Sequence, residues 1–180
     1  MGTKRYQEQP SGSNLCGAYA IAYWLKEKNF ECDDVVQTAE GLYEEFRFKE
    51  EDFISGEICE FVMGYCNPAR IMMWMLSKKN IICNFYLGND KKIDELYQGL
   101  VISDDIKKHV LREPFSTEKF SNEQAGLEIV KNKGGGLHYL YVYRESKMEK
   151  AIDPGDGCLY DRDELVGIRY YVTGAGIIIG

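Results

Sequence analysis

The pattern of apolar residues changes character in the C-terminal third of this chain, and that change limits the fold more than any other feature. Up to about residue 76 apolar side chains recur at helical spacing, and from residue 137 they fall in short β-rich runs. Ala18, Ile21, Ala22 and Leu25 lie on one face of a helix over residues 17–25, with Ser13 or Asn14 as its cap. Val35, Val36, Ala39, Leu42, Tyr43 and Phe46 form the stripe of a second helix, capped by Asp33 or Asp34. A third helix is expected over residues 50–66. Asn67 followed by Pro68 opens a fourth, which continues through residues 71–76. Residues 81–87 read as a strand and residues 90–112 as one or two polar helices. Residues 113–133 admit two readings: Ser121 and Gln124 have capping-box spacing, while residues 127–130 fit a strand feeding a hairpin. Residues 137–143, 150–153, 158–160, 168–172 and 176–179 are short strands, and residues 154–157 make a turn. Helices first and a mainly antiparallel sheet afterwards is an α+β layout, and 180 residues fit a single domain, 1–180.

Charge and cysteine usage narrow the function classes. With 22 basic against 29 acidic side chains, the net charge of -7 argues against nucleic acid as a partner. No apolar run approaches the roughly 18 residues of a membrane span. The first residues lack the apolar core of a signal peptide, so the expected location is cytoplasmic, or a host cytoplasm reached without a classical signal. The six cysteines, Cys16, Cys32, Cys59, Cys66, Cys83 and Cys158, contain no Cys-x-x-Cys pair and read mostly as small buried hydrophobes. Without tight ligand pairs, and with His109 and His138 the only histidines, no metal is expected. Gly134, Gly135 and Gly136 are not followed by the Lys-Ser/Thr of a phosphate loop. Asp156, Asp161 and Asp163 lack EF-hand spacing, so no cofactor is expected either. The cluster Met72, Met73, Trp74 and Met75 reads as core filling.

Cys16 is the most informative residue. It falls in the first turn of the 17–25 helix, where partial positive charge favours a thiolate and where its own N–H is a spare donor for an oxyanion. A thiolate nucleophile needs a proton acceptor. His138 opens a strand directly after the three glycines, which leave one side of it open, whereas His109 sits in a charged helical run. An imidazole in that role needs an orienting group on its other nitrogen. Asp153 ends the next strand, and an antiparallel hairpin with a short turn near residues 146–149 returns it beside His138.

Gln9, Cys16 followed by Gly17, His138 opening a late strand and Asp153 with Pro154 on the next strand resemble the papain-like cysteine peptidase superfamily. That superfamily places glutamine, cysteine, histidine and asparagine or aspartate in the same order. The compact size and the aspartate resemble its bacteriocin-leader peptidase domains. The stretch Gln9, Pro10, Ser11, Gly12, Ser13, Asn14, Leu15, Cys16 is similar to the ubiquitin-cleaving Josephin domains. The resemblance rests on residues 9–25 and 136–157. It implies a papain-like fold, with the nucleophile helix of an N-terminal helical part packed on the C-terminal sheet. It further implies Cys16 as nucleophile, His138 as general base and acid, Asp153 as the group that orients His138, and Gln9 as an oxyanion donor, with Gln7 and Asn14 as rivals of Gln9. Gly135 and Gly136 match the substrate-facing stretch before the histidine. The implied activity is hydrolysis of a peptide or isopeptide bond in a protein or peptide substrate, through a thioester. The same residues serve glutamine deamidation and acyl transfer, so a deamidase or transglutaminase-like bacterial effector is a second expectation. A non-catalytic protein-binding module of the same fold is a third.

Overall fold

The N-terminal helices pack on a sheet drawn mostly from the C-terminal part of the chain. The computed structural model describes residues 2–54, 62–121 and 124–180. Its elements are β1 (Thr3–Lys4), α1 (Cys16–Glu27), α2 (Val35–Phe46), α3 (Pro68–Trp74), β2 (Cys83–Tyr86), α4 (Lys91–Gln98), α5 (Asp104–Lys107), β3 (Val110–Leu111), β4 (Ala125–Asn132), β5 (Leu137–Glu145), β6 (Met148–Asp153), β7 (Cys158–Asp161), α6 (Arg162–Arg169) and β8 (Tyr170–Ile179). The eight strands form one sheet in the order β1-β7-β6-β5-β4-β8-β2-β3. Every neighbouring pair is antiparallel except β2 with β3. The fold is therefore α+β, with N-terminal helices packed on a mostly antiparallel sheet. The two edge strands are two residues long, which leaves little backbone for another chain to pair with.

β5 explains why its residues look apolar throughout rather than half polar. Tyr139 and Tyr141 face α1 within one core cluster, while Leu140 and Val142 join Leu165 of α6 in a second cluster on the opposite face. A strand covered on both faces has no solvent side to leave polar. α1 is similarly enclosed: every residue from Cys16 to Leu25 is buried. α2 instead buries one stripe, Val35, Ala39, Leu42 and Phe46, and Asp34 caps it by accepting from the Gln37 N–H at 3.0 Å.

Several expectations are corrected. The helix over residues 50–66 falls partly on residues 55–61, outside the described residues. Where it is described, a short 3₁₀ turn over Glu50–Asp52 is followed by bridges from Phe53 to Leu100 and from Cys66 to Arg47. Residues 113–133 resolve in favour of the strand, which extends over the whole of β4. Ser121 still donates its N–H to the Gln124 side chain at 2.8 Å, without a helix behind it. Residues 168–172 are not one strand: Ile168 belongs to α6, and β8 begins at Tyr170. α6 hides in the sequence because only Leu165 is buried. What favours it is charge, with Asp163 and Glu164 in its first turn and Arg169 in its last. Met72 and Met75 fill the core as expected, but Met73 is exposed.

α6 is tied to the sheet by a buried ion pair. The Arg162 guanidinium donates to both carboxylate oxygens of Glu128 on β4. Glu128→Ala strands a mostly buried guanidinium, with Glu149 at 3.6 Å and Asp163 at 2.9 Å as its remaining partners. The expected loss is about 3 kcal/mol in denaturant unfolding, and joint replacement of Glu128 and Arg162 by Leu and Met recovers most of it.

Candidate active site

Leu15, with no side-chain hydrogen bond, occupies the cap position of α1, so neither Ser13 nor Asn14 caps it as expected. The first-turn amides of Gly17 and Ala18 donate instead to the sulfur of Cys66, which lies beneath the helix start. Gly17 is required there, because a Cβ at that position would sit 2.7 Å from the Cys66 Cβ. Burial, then the neighbouring Cys16, push the Cys66 thiol far up, so it stays neutral and acts as acceptor. The Gly17 and Ala18 amides are thus committed to Cys66, and the group that faces the Cys16 sulfur is an imidazole. Cys66 is itself held by its surroundings. Tyr139 donates its hydroxyl to the Cys66 carbonyl at 3.0 Å, and the adjacent Asn67 is tied through its side-chain NH₂ to buried Asp52. Cys66→Ala leaves both helix amides without an acceptor and should cost about 1–3 kcal/mol, read as a lower denaturation midpoint. An unchanged midpoint would mean that the sulfur does not cap α1.

That imidazole belongs to His138. Ser146 and Lys147, both at positive φ, make the tight turn of the β5–β6 hairpin, which pairs Glu145 with Met148 and Tyr141 with Ile152. This register returns Asp153 to His138, whose Nε2 lies 2.8 Å from the Asp153 Oδ1. His138 lies on the α6 face of the sheet and Cys16 on a helix of the other face. They meet because Cys16 begins its helix and His138 is the second residue of its strand. With Nε2 engaged by Asp153, Nδ1 is the ring nitrogen left for Cys16. Burial disfavours the imidazolium, but charge coupling and side-chain hydrogen bonding with Cys16 and Asp153 outweigh it. The net effect raises His138 above the ordinary imidazole value. For Asp153, burial is outweighed by the hydrogen bonds from His138, Tyr170 and Gly155, so its carboxyl lies below the usual range. Cys16, His138 and Asp153 are 2%, 9% and 1% exposed, so the three groups interact with little solvent between them.

Sequence reasoning missed the groups that hold Asp153 from behind. Its Oδ1 also accepts the Gly155 N–H at 2.8 Å, while its Oδ2 accepts the Tyr170 hydroxyl at 2.7 Å and lies 3.4 Å from Arg169. The N-terminal segment is laced to the same turn. Arg5 and Tyr6 donate their N–H groups to the Gly157 carbonyl, and Gln9 donates its own to Pro154 at 2.9 Å. Only glycine fits at Gly157, where φ is +64° and a Cβ would meet the Tyr6 carbonyl.

That lacing carries Gln9 toward the helix start. Its Nε2 donates to the Ser13 carbonyl at a long 3.3 Å, and its buried Oε1 has no partner among the described residues. Gly135 and Gly136 lie in the β4–β5 turn, closed by Asn132, whose N–H donates to the Gly136 carbonyl and whose Oδ1 accepts the Gly136 N–H. Gly135 faces open space. A Cβ on Gly136 would lie 3.3 Å from the Tyr65 hydroxyl, and one on Gly64 would lie 3.0 Å from the Asn14 side chain. Residues 62–65 therefore bridge the 10–15 loop and the glycine turn. His109 pairs with Asn84 at 3.3 Å, at the start of β3 and apart from this cluster.

An imidazole held between a thiol and a carboxylate can take a proton from the sulfur and return it to a leaving group. Among the described residues no group of three or more His, Cys, Asp or Glu side chains could hold a metal ion, and no helix is long and apolar enough to cross a membrane. Comparison with protein-family models and with curated proteins finds no match.

Proposed function

We propose that this chain is a papain-like thiol hydrolase that cleaves a peptide or isopeptide bond. The observation that carries the reading is the single line of contact from Cys16 through His138 to Asp153, with the histidine's far nitrogen bonded to the carboxylate at 2.8 Å. The Cys16 thiolate attacks the scissile carbonyl, and the C–S bond forms as the carbonyl π electrons move onto oxygen. The resulting oxyanion is met by the Cys16 N–H and by Gln9, whose weak bond to Ser13 is readily exchanged. The His138 imidazolium then gives its proton to the departing amine as the C–N bond breaks, leaving a thioester. Neutral His138 next takes a proton from water, whose oxygen attacks the thioester, and the acid leaves as the thiolate is regenerated. Asp153 stays ionised throughout and fixes the ring plane.

Two measurements test the reading. Iodoacetamide at roughly pH 6 should label buried Cys16 faster than half-exposed Cys158, whose thiol is pushed up by burial and by Asp156. Slower labelling at Cys16 would sink the reading. Incubation with peptide and isopeptide amides should then give fragments whose masses sum to substrate plus one water. An intact backbone with glutamine converted to glutamate would reassign the same residues to deamidation.

A further inference from the structure

Tyr170 begins β8, where it pairs with Asn132 of β4, and the steps above do not use its side chain. Its ring lies parallel to that of His138, with centroids 5.1 Å apart and planes 10° from coplanar. Its hydroxyl donates to the Asp153 Oδ2 at 2.7 Å. One side chain thus touches both groups that stand behind the Cys16 sulfur. Resting on the thiol-hydrolase reading, we infer that Tyr170 is a positioning residue that sets how firmly His138 holds its proton, through two opposed contacts.

The first contact is the aromatic face. A π face alongside an imidazole attracts the cationic form more than the neutral one. The second is the hydroxyl. By donating to Asp153 it draws charge away from the oxygens that hold the imidazolium, so it weakens the grip of the carboxylate. Burial and the charge of Asp153 push the Tyr170 hydroxyl up, so it remains a donor. Among the described residues the ionisable groups in contact with His138 are Cys16 from α1, Asp153 from β6 and Tyr170 from β8. Arg169, at the end of α6, and Asp156, in the β6–β7 turn, act one contact farther out, paired with each other at 2.6 Å. Tyr170 is the one member of this set that can be edited in two halves: Tyr170→Phe keeps the face and loses the donor, and Tyr170→Leu loses both.

The chain has two histidines, so selective ¹³C-histidine labelling gives two ring signals that a His109→Gln variant assigns. NMR titration of full-length protein then reads the His138 midpoint directly. In Tyr170→Phe the midpoint should rise above wild type by about half a pH unit. In Tyr170→Leu it should lie below that of Tyr170→Phe by about half a unit, the worth of one cation–π contact. A midpoint in Tyr170→Phe that coincides with wild type overturns the inference, as does coincidence of the two variants. Should Tyr170→Leu fail to fold, Tyr170→Phe, which removes a single oxygen, decides alone. Cys16→Ala separates this outcome from failure of the parent reading, because it should lower the His138 midpoint. If it does not, the thiol–imidazole pair is absent and both statements fall.

Discussion

Cys16→Ala is expected to lower turnover of an amide substrate by about 10⁴- to 10⁶-fold while leaving the fold intact. The loss is large because the sulfur forms and breaks the only covalent bond to substrate, and no other group can take that part. Cys66 is nearest in kind, but its sulfur is spent on the Gly17 and Ala18 amides and held neutral by burial. The fold should survive because alanine is well tolerated in the first turn of a helix and only one sulfur atom leaves the core. His138→Ala should cost as much turnover, yet the double variant should be no worse than either single one, since proton acceptor and nucleophile act as a unit. Of the two, Cys16→Ala is the cleaner, because His138→Ala also leaves buried Asp153 without its main partner. Specific activity compared at matched circular dichroism checks this. Undiminished turnover in Cys16→Ala would falsify the thiol mechanism.

The sequence exposed the parts of the site that follow from counting along one strand pair. Two strands joined by a short turn near residues 146–149 bring Asp153 back beside His138, whatever the rest of the molecule does. The helix over residues 17–25 was equally legible, because apolar spacing marks it directly. Contacts with no local cause were not legible. Cys66 meets α1 from a segment fifty residues on, and nothing in a lone cysteine between Tyr65 and Asn67 announces a helix cap. Tyr170 falls inside the expected 168–172 strand with nothing to single it out, since its contacts depend on β8 lying beside β4 and on a register shift between Ile129 and Val130. α6 was not legible, because a short helix held by end charges and one buried leucine leaves almost no apolar period. The family resemblance supplied the residues proposed to meet substrate, whereas the support behind Asp153 comes from how this chain closes its sheet.

That support makes Asp153 the second site of large effect. Asp153→Ala should lower turnover by about 10⁴-fold, because His138 loses the group that fixes its tautomer and ring plane. It should also cost about 3 kcal/mol of stability, since a buried imidazolium, the Gly155 N–H and the Tyr170 hydroxyl all lose their acceptor. Asp153→Asn should be milder in both respects. Its Oδ1 can keep the bonds from His138 and Gly155, and its NH₂ can donate to a Tyr170 hydroxyl turned to accept. The pH profile of stability carries a further signature. His138 is raised in the fold, so its contribution is complete below roughly pH 6.5 and fades as pH climbs toward the raised value. Asp153 is lowered, so its contribution is complete above roughly pH 4 and fades as pH falls toward the lowered value. The wild-type melting temperature should therefore be flat between these limits with respect to this pair and decline on either side. Asp153→Ala removes the acid-side loss outright. It also removes one cause of the His138 rise, so the decline above pH 6.5 should be shallower than in wild type. Melting temperatures from pH 3 to pH 10 for the two proteins decide the matter, and parallel curves would mean that the carboxylate does not hold the imidazolium.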